Sequence, residues 1–240
     1  MTASATSHPG LPLRRIAGFE STGYARLHGR IVWAGEHAGA DHPRNTRRPW
    51  QPTRLDCDAQ RLQRGAATCI GLLGARPAPG LLAWLGGGPL PFPLDRAAHR
   101  FDAVRRSLQL NDLPAFEHAA LQVLGLGPGL TPSGDDFVGA ICFALVHAPR
   151  SRWRAAMPAL HGRIRAAAQG ATHAISAALL DDLIAGGSYR ALHEMLAALD
   201  GGEAARIDAA AQALLRIGAT SGADMLCGLL LALSTWHESF

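Results

Sequence analysis

The chain has 240 residues, 48% hydrophobic and 18% charged, long enough for one large domain or two small ones with a sizeable core. All 23 of its basic residues are arginine, which excludes a Walker-type phosphate loop and Schiff-base catalysis, since both need a lysine. Residues 1–64 hold ten arginines against five acidic residues, but they are scattered and lack an accompanying recognition helix or RNA-binding aromatic motif, so a nucleic-acid partner is not expected. Cys57, Cys69, Cys142 and Cys227 have neither the spacing of a zinc site nor the density of a disulfide framework. No signal peptide is evident and no apolar run reaches membrane-spanning length, so the expectation is a cytoplasmic protein with no membrane partner.

In chain order, residues 1–14 are small, polar and Pro-containing, and are expected to be disordered. YARLHGRIVWAG, residues 24–35, alternates around Gly29 and predicts two strands joined by a turn. Residues 35–54 are polar, with three prolines, and predict a long loop carrying His37 and His42 as minor candidates for chemistry. The short apolar runs 67–76 and 80–86 predict buried strands, with a short helix left open as the alternative, and GGGPLPFP at 86–93 marks a boundary. The expected fold class is therefore α+β: a small β-containing N-terminal part, residues 1–93, followed by a mainly α-helical domain, residues 94–240. Helices are expected at 95–109, 113–124, 135–147, 151–168, 172–185, 188–199, 203–216 and 222–236. Those at 135–147 and 222–236 are apolar nearly all round and should lie at the centre.

The loops that precede these two helices are alike. The first, within GLGPGLTPSGDDFVGA at 125–140, alternates glycine and proline before Ser133-Gly134-Asp135-Asp136. The second, within GATSGADMLCGLLLAL at 218–233, contains Ser221-Gly222-Ala223-Asp224. Both give Ser-Gly-x-Asp-apolar, with a threonine just before and a long apolar helix after. Glycine admits a close backbone approach, and a helix N-terminus favours anions. Two such loops at one end of a bundle could face each other across one small-ligand pocket. The Gly-rich loop follows a helix rather than a strand, which excludes a dinucleotide-binding fold.

The run LGLGPGLTPSGDDF, followed far downstream by SGAD and supported by Thr172-x-x-Ile175-Ser176, resembles a bacterial domain-of-unknown-function family. That family includes a subunit of the oxamate carbamoyltransferase of anaerobic allantoin breakdown. The resemblance covers residues 121–146 and 217–233 well and the first 95 residues poorly. It implies transfer of a carbamoyl group between phosphate and oxamate, a small anionic substrate, and other subunits in one complex, one of them resembling an acyl-CoA synthetase.

Asp136 and Asp224 occupy matched positions and are the leading catalytic candidates, as base, as orienter of a substrate amide, or as oxygen ligands to a divalent cation. Asp135 is the third, and capping a helix explains it equally well. No histidine lies at ligand spacing beside them, so a divalent cation is the lesser reading, and no other cofactor is expected. Gly127, Gly129, Thr131, Ser133, Gly134, Ser221 and Gly222 are the expected substrate-binding positions. Thr172 and Ser176, four apart on one helix face, join them, although a capping threonine and a core serine account for the pair without function. Gly134 is expected to matter for ligand approach more than for the fold. The competing reading is a non-catalytic ligand-binding or scaffolding subunit, whose aspartates would serve as helix caps.

Overall fold

The computed structural model describes residues 14–18, 23–33, 40–46, 50–52, 55–74 and 79–236, within two compact units, Met1–Gln51 and Pro52–Phe240. Residues 1–13 and His37 lie outside the described residues.

The first unit holds a three-stranded antiparallel sheet of β1 (Arg14–Gly18), β2 (Gly23–Leu27) and β3 (Arg30–Trp33), in that order. The expected hairpin is β2–β3. His28 and Gly29 both take positive φ, 48° and 77°, as a two-residue turn with the right twist demands. Ile31 and Trp33, two apart on β3, are both buried. His42 is a core residue of this unit: it is buried, meets the Trp33 ring edge-on at 5.1 Å, and its Nδ1 accepts the Arg44 N–H.

The second unit contains the helices, and it begins earlier than residue 94. The strands expected at 67–76 and 80–86 are helices: α1 (Ala59–Leu73) and α2 (Leu81–Leu85). The period was present but broken up by exposed Arg and Gln. Leu62, Gly65, Ala66 and Cys69 recur at helical spacing and are buried, and Asp58 caps the helix by accepting from Arg61 N at 2.7 Å. A Cβ on Gly65 would sit 2.2 Å from Leu199 O, so α1 is fastened closely to the helical body and cannot belong to a separate β layer. After one turn of 3-10 helix at Leu94–Ala97 follow α3 (Ala98–Gln109), α4 (Leu113–Val123), α5 (Ser133–His147) and α6 (Met157–Ala171). Then come α7 (Ala174–Ile184), α8 (Arg190–Gly201), α9 (Ala204–Leu215) and α10 (Ser221–Ser234). Helix α6 starts at Met157 rather than 151, with a proline in its first turn.

Helices α5 and α10 form the centre, buried without interruption over 133–145 and 222–233. They approach so closely that a Cβ on Gly228 would lie 2.2 Å from Phe137 O. They run parallel. Their N-terminal loops touch, Thr131 to Ser221, while Arg150, just after α5, donates to Thr235 O at the end of α10. Arg150 is buried and also donates to Leu108 O at 2.7 Å, near the end of α3. It thus faces the negative ends of two helices. Burial lowers its guanidinium to about 10. Cys142 and Cys227 are free, fully buried thiols in α5 and α10. Among the described residues no helix is long and apolar enough to cross a membrane.

Candidate functional site

The two Ser-Gly-x-Asp loops are two copies of one backbone device. After α4, Leu126 N donates to Val123 O and Gly134 N donates to Leu126 O at 2.8 Å. After α9, Ile217 N donates to Leu214 O and Gly222 N donates to Ile217 O at 2.9 Å. In each copy a glycine of positive φ lies against the serine that opens the next helix, Gly127 on Ser133 and Gly218 on Ser221. In each, the glycine after that serine presses on the helix before the loop. A Cβ at Gly134 would fall 1.8 Å from Val123 O, and one at Gly222 would fall 1.9 Å from Leu214 O. These two glycines are required for packing. Gly134 is therefore a residue of the fold first, contrary to the sequence expectation, because its missing Cβ is what lets the loop close on α4.

The copies face each other and exchange contacts. Thr131 Oγ1 and Ser221 Oγ are 2.9 Å apart. The pull of the Ser221 and Thr131 hydroxyls lowers Asp136, and that of the Ser133 and Thr220 hydroxyls lowers Asp224, in each case against burial. Neither α5 nor α10 has a side-chain cap, so Asp136 and Asp224 are not engaged as the caps of their own helices. Asp224 has one further donor, Leu81 N–H at 3.0 Å. The second oxygen of each, Oδ2, is buried with no hydrogen-bond partner among the described residues.

Both carboxyls are almost fully buried, Asp136 at 5% and Asp224 at 0% exposure. Burial, and after it the charges of Asp224 and Asp135, holds Asp136 well above the usual carboxylate range. Burial also raises Asp224, against the opposing pull of its Leu81, Ser133 and Thr220 donors. The half-buried rim comprises Gly127, Thr131, Thr220 and Ser221, with Gly129 more exposed. The two loops thus bring half-buried hydroxyls together at the start of two helices that each carry a buried acid.

Asp135 points elsewhere. It accepts from Gly125 N at 2.8 Å, from Ser176 Oγ at 2.6 Å and from the Thr172 hydroxyl. Asp135, Thr172 and Ser176 therefore form one cluster that ties the start of the Gly-rich loop and α7 to α5. His173 opens α7 without capping it.

The residues that sequence reasoning missed are Gly80 and Leu81. Gly80 has φ 57°, and a Cβ there would lie 2.6 Å from Asp224 Oδ1. The Pro79-Gly80 pair is a turn signal in the sequence, but nothing local connects it to a residue 144 positions later. A cavity of about 220 Å³ lies at the other end of α5, lined by Leu145, Val146, Pro149, Arg154, Met157 and His161. Among the described residues no group of three or more His, Cys, Asp or Glu is placed to hold a metal ion.

A family model described as oxamate carbamoyltransferase subunit AllH matches residues 123–233, somewhat less than half of the chain. The matched segment runs from the last residue of α4 through most of α10 and contains both loops. No curated protein and no solved structure matches the chain significantly.

Proposed function

We propose that the chain is a subunit of an oxamate carbamoyltransferase-like complex and binds a small anionic substrate, such as carbamoyl phosphate or oxamate, at the rim formed by the two loops. The observation that carries this reading is the meeting of the loops, with Thr131 and Ser221 hydroxyls 2.9 Å apart over two buried carboxyls. A carbamoyl group offers one carbonyl acceptor and an amide donor, which a protonated acid beside a carboxylate complements. The family match over residues 123–233 supports the reaction class.

The anionic part of the substrate meets hydroxyls and the positive ends of two helices, each worth about half a charge. No arginine falls between Arg106 and Arg150, and a partner subunit or a substrate-bound cation would add positive charge there. Affinity of the isolated chain is accordingly micromolar to millimolar, about −8 to −4 kcal/mol. Titration calorimetry with carbamoyl phosphate, oxamate and inorganic phosphate tests this, alongside transferase activity in the reconstituted complex. Loss of binding in Ser221→Ala and of activity in Asp136→Asn is expected. Unchanged activity in both variants removes the assignment.

The non-catalytic reading keeps one observation in its favour. Phe92 and Leu110 are large apolar side chains exposed by 79% and 76%, as a subunit contact would use. Full complex activity with Asp136→Asn and Ser221→Ala, but loss of assembly with Phe92→Asp, would select it.

A further inference from the structure

We propose that the cavity at the end of α5 away from the two loops is a second binding site, for a small organic carboxylate with an apolar body, its charge met by Arg154 and one oxygen by His161 Nε2. The cavity has a volume of about 220 Å³ and is lined by Leu145, Val146, Pro149, Arg154, Met157 and His161. An apolar cavity of about 150 Å³ takes a benzene ring, so this one takes a molecule of about ten non-hydrogen atoms. Pockets for drug-sized ligands run from about 300 Å³ upward, which leaves a nucleotide too large. Leu145 and Val146 of α5 and Met157 of α6 make the walls aliphatic, which disfavours a fully hydrated ion such as bare phosphate.

Two polar groups of the cavity are unmatched. His161 Nε2 is buried with no hydrogen-bond partner among the described residues. A ring nitrogen left so has lost its water and gained nothing, a cost that a ligand oxygen recovers. Burial, and after it the charge of Arg165, lowers the His161 ring below the usual imidazole range, so the ring is neutral and donates as its Nε2–H tautomer. Arg154 is exposed and pairs with no acid among the described residues. The arginines further along α6 are engaged, Arg163 by Glu117 and Arg165 by Asp181. A carboxylate in the cavity gives Arg154 an opposite charge and His161 an acceptor, while its apolar body covers Leu145, Val146 and Met157.

The walls are set before a ligand arrives. After Pro149 the chain turns on Arg150 O, which accepts from Trp153 N at 3.0 Å and from Arg154 N at 3.1 Å. Arg150 is itself fastened by its side chain to Leu108 O and Thr235 O. Trp153 is turned inward: its Nε1 donates to Asn111 O at 3.2 Å, and its ring lies 5.4 Å from that of Phe116. With Trp153 held on the inner side, its neighbour Arg154 is left at the cavity. Met157 N donates to Trp153 O at 3.0 Å, which fixes the start of α6 against the same turn. Preformed walls reduce the ordering cost of binding. No residue of the two loops lines the cavity, so this inference is independent of the function proposed above.

The experiment follows the histidine ring nitrogens of the full chain by nitrogen-15 NMR as three probes are added in turn. Benzoate fits the volume, benzamide is its uncharged isostere, and inorganic phosphate is an anion with no apolar body. His161→Phe assigns the His161 signals, and His161→Gln does so if the phenylalanine variant fails to fold. The expected result is a saturable shift of His161 Nε2 with benzoate in the millimolar range or below, about tenfold weaker binding of benzamide, and no shift with phosphate. Arg154→Gln, a change at an exposed side chain, should weaken benzoate about tenfold. No saturable shift of His161 with benzoate up to about 20 mM overturns the proposal. Equal binding of benzamide, a shift with phosphate as large as with benzoate, or unchanged benzoate affinity in Arg154→Gln overturns it as well.

Discussion

Asp136 is a residue whose local cost and function oppose each other. Its folded carboxyl holds a proton more tightly than the unfolded one, which titrates near about 3.9. Its contribution to stability is therefore complete below about pH 3.9 and declines as pH rises toward and through its folded value. Asp136→Asn removes that decline. The variant should melt about 2–8 °C higher than wild type at pH 8, a gain of about 1–2 kcal/mol, and the difference should shrink toward pH 4, as calorimetry across that range would read. An unchanged or lower melting temperature at pH 8 would count against a buried, costly acid. Gly134 is the opposite case. The residue is identified in the sequence as special, but the reason lies in Val123 O, 1.8 Å from where a Cβ would be. Gly134→Ala and Gly222→Ala should each cost about 3 kcal/mol in denaturant unfolding, where alanine in an ordinary helix would add stability.

Among the elements, the Gly-rich loop owes its form to contacts with helices on both sides. Asp135 receives the Gly125 N–H and two hydroxyls from α7's neighbourhood, so losing it leaves three buried or half-buried donors without an acceptor. Asp135→Ala should destabilise by about 3 kcal/mol and hasten proteolysis within 125–132, with Ser176→Ala milder. Wild-type proteolysis rates would show that the cluster does not hold the loop. The helices after residue 94 were legible because their apolar periods are long and their punctuation is strong, as with Asp112, which caps α4 through Ala115 N. α1 and α2 were misread because a short apolar run fits strand and helix alike, and only the close approach of Gly65 to Leu199 O distinguishes them.

For the whole molecule, the parallel pair α5–α10 aligns two helix dipoles, an arrangement that needs compensation at both ends. Asp135 and Asp224 stand at the N-terminal end and buried Arg150 at the other. Arg150→Met should release the carbonyls of Leu108 and Thr235 and lower the melting temperature by about 5–15 °C, with the site titrations unaltered. A loss below 2 °C would show that solvent can replace the guanidinium. The sequence by itself determined that two apolar helices follow two Ser-Gly-x-Asp loops, because composition and spacing are local. It also determined the hydroxyls and acids available there. Tertiary structure decided that Thr131 meets Ser221 across the loops, that Asp135 is drawn away to Thr172 and Ser176, and that Leu81 N–H reaches Asp224. Those are contacts between segments 37 to 143 residues apart, set by how the helices pack, and local pattern carries no record of them.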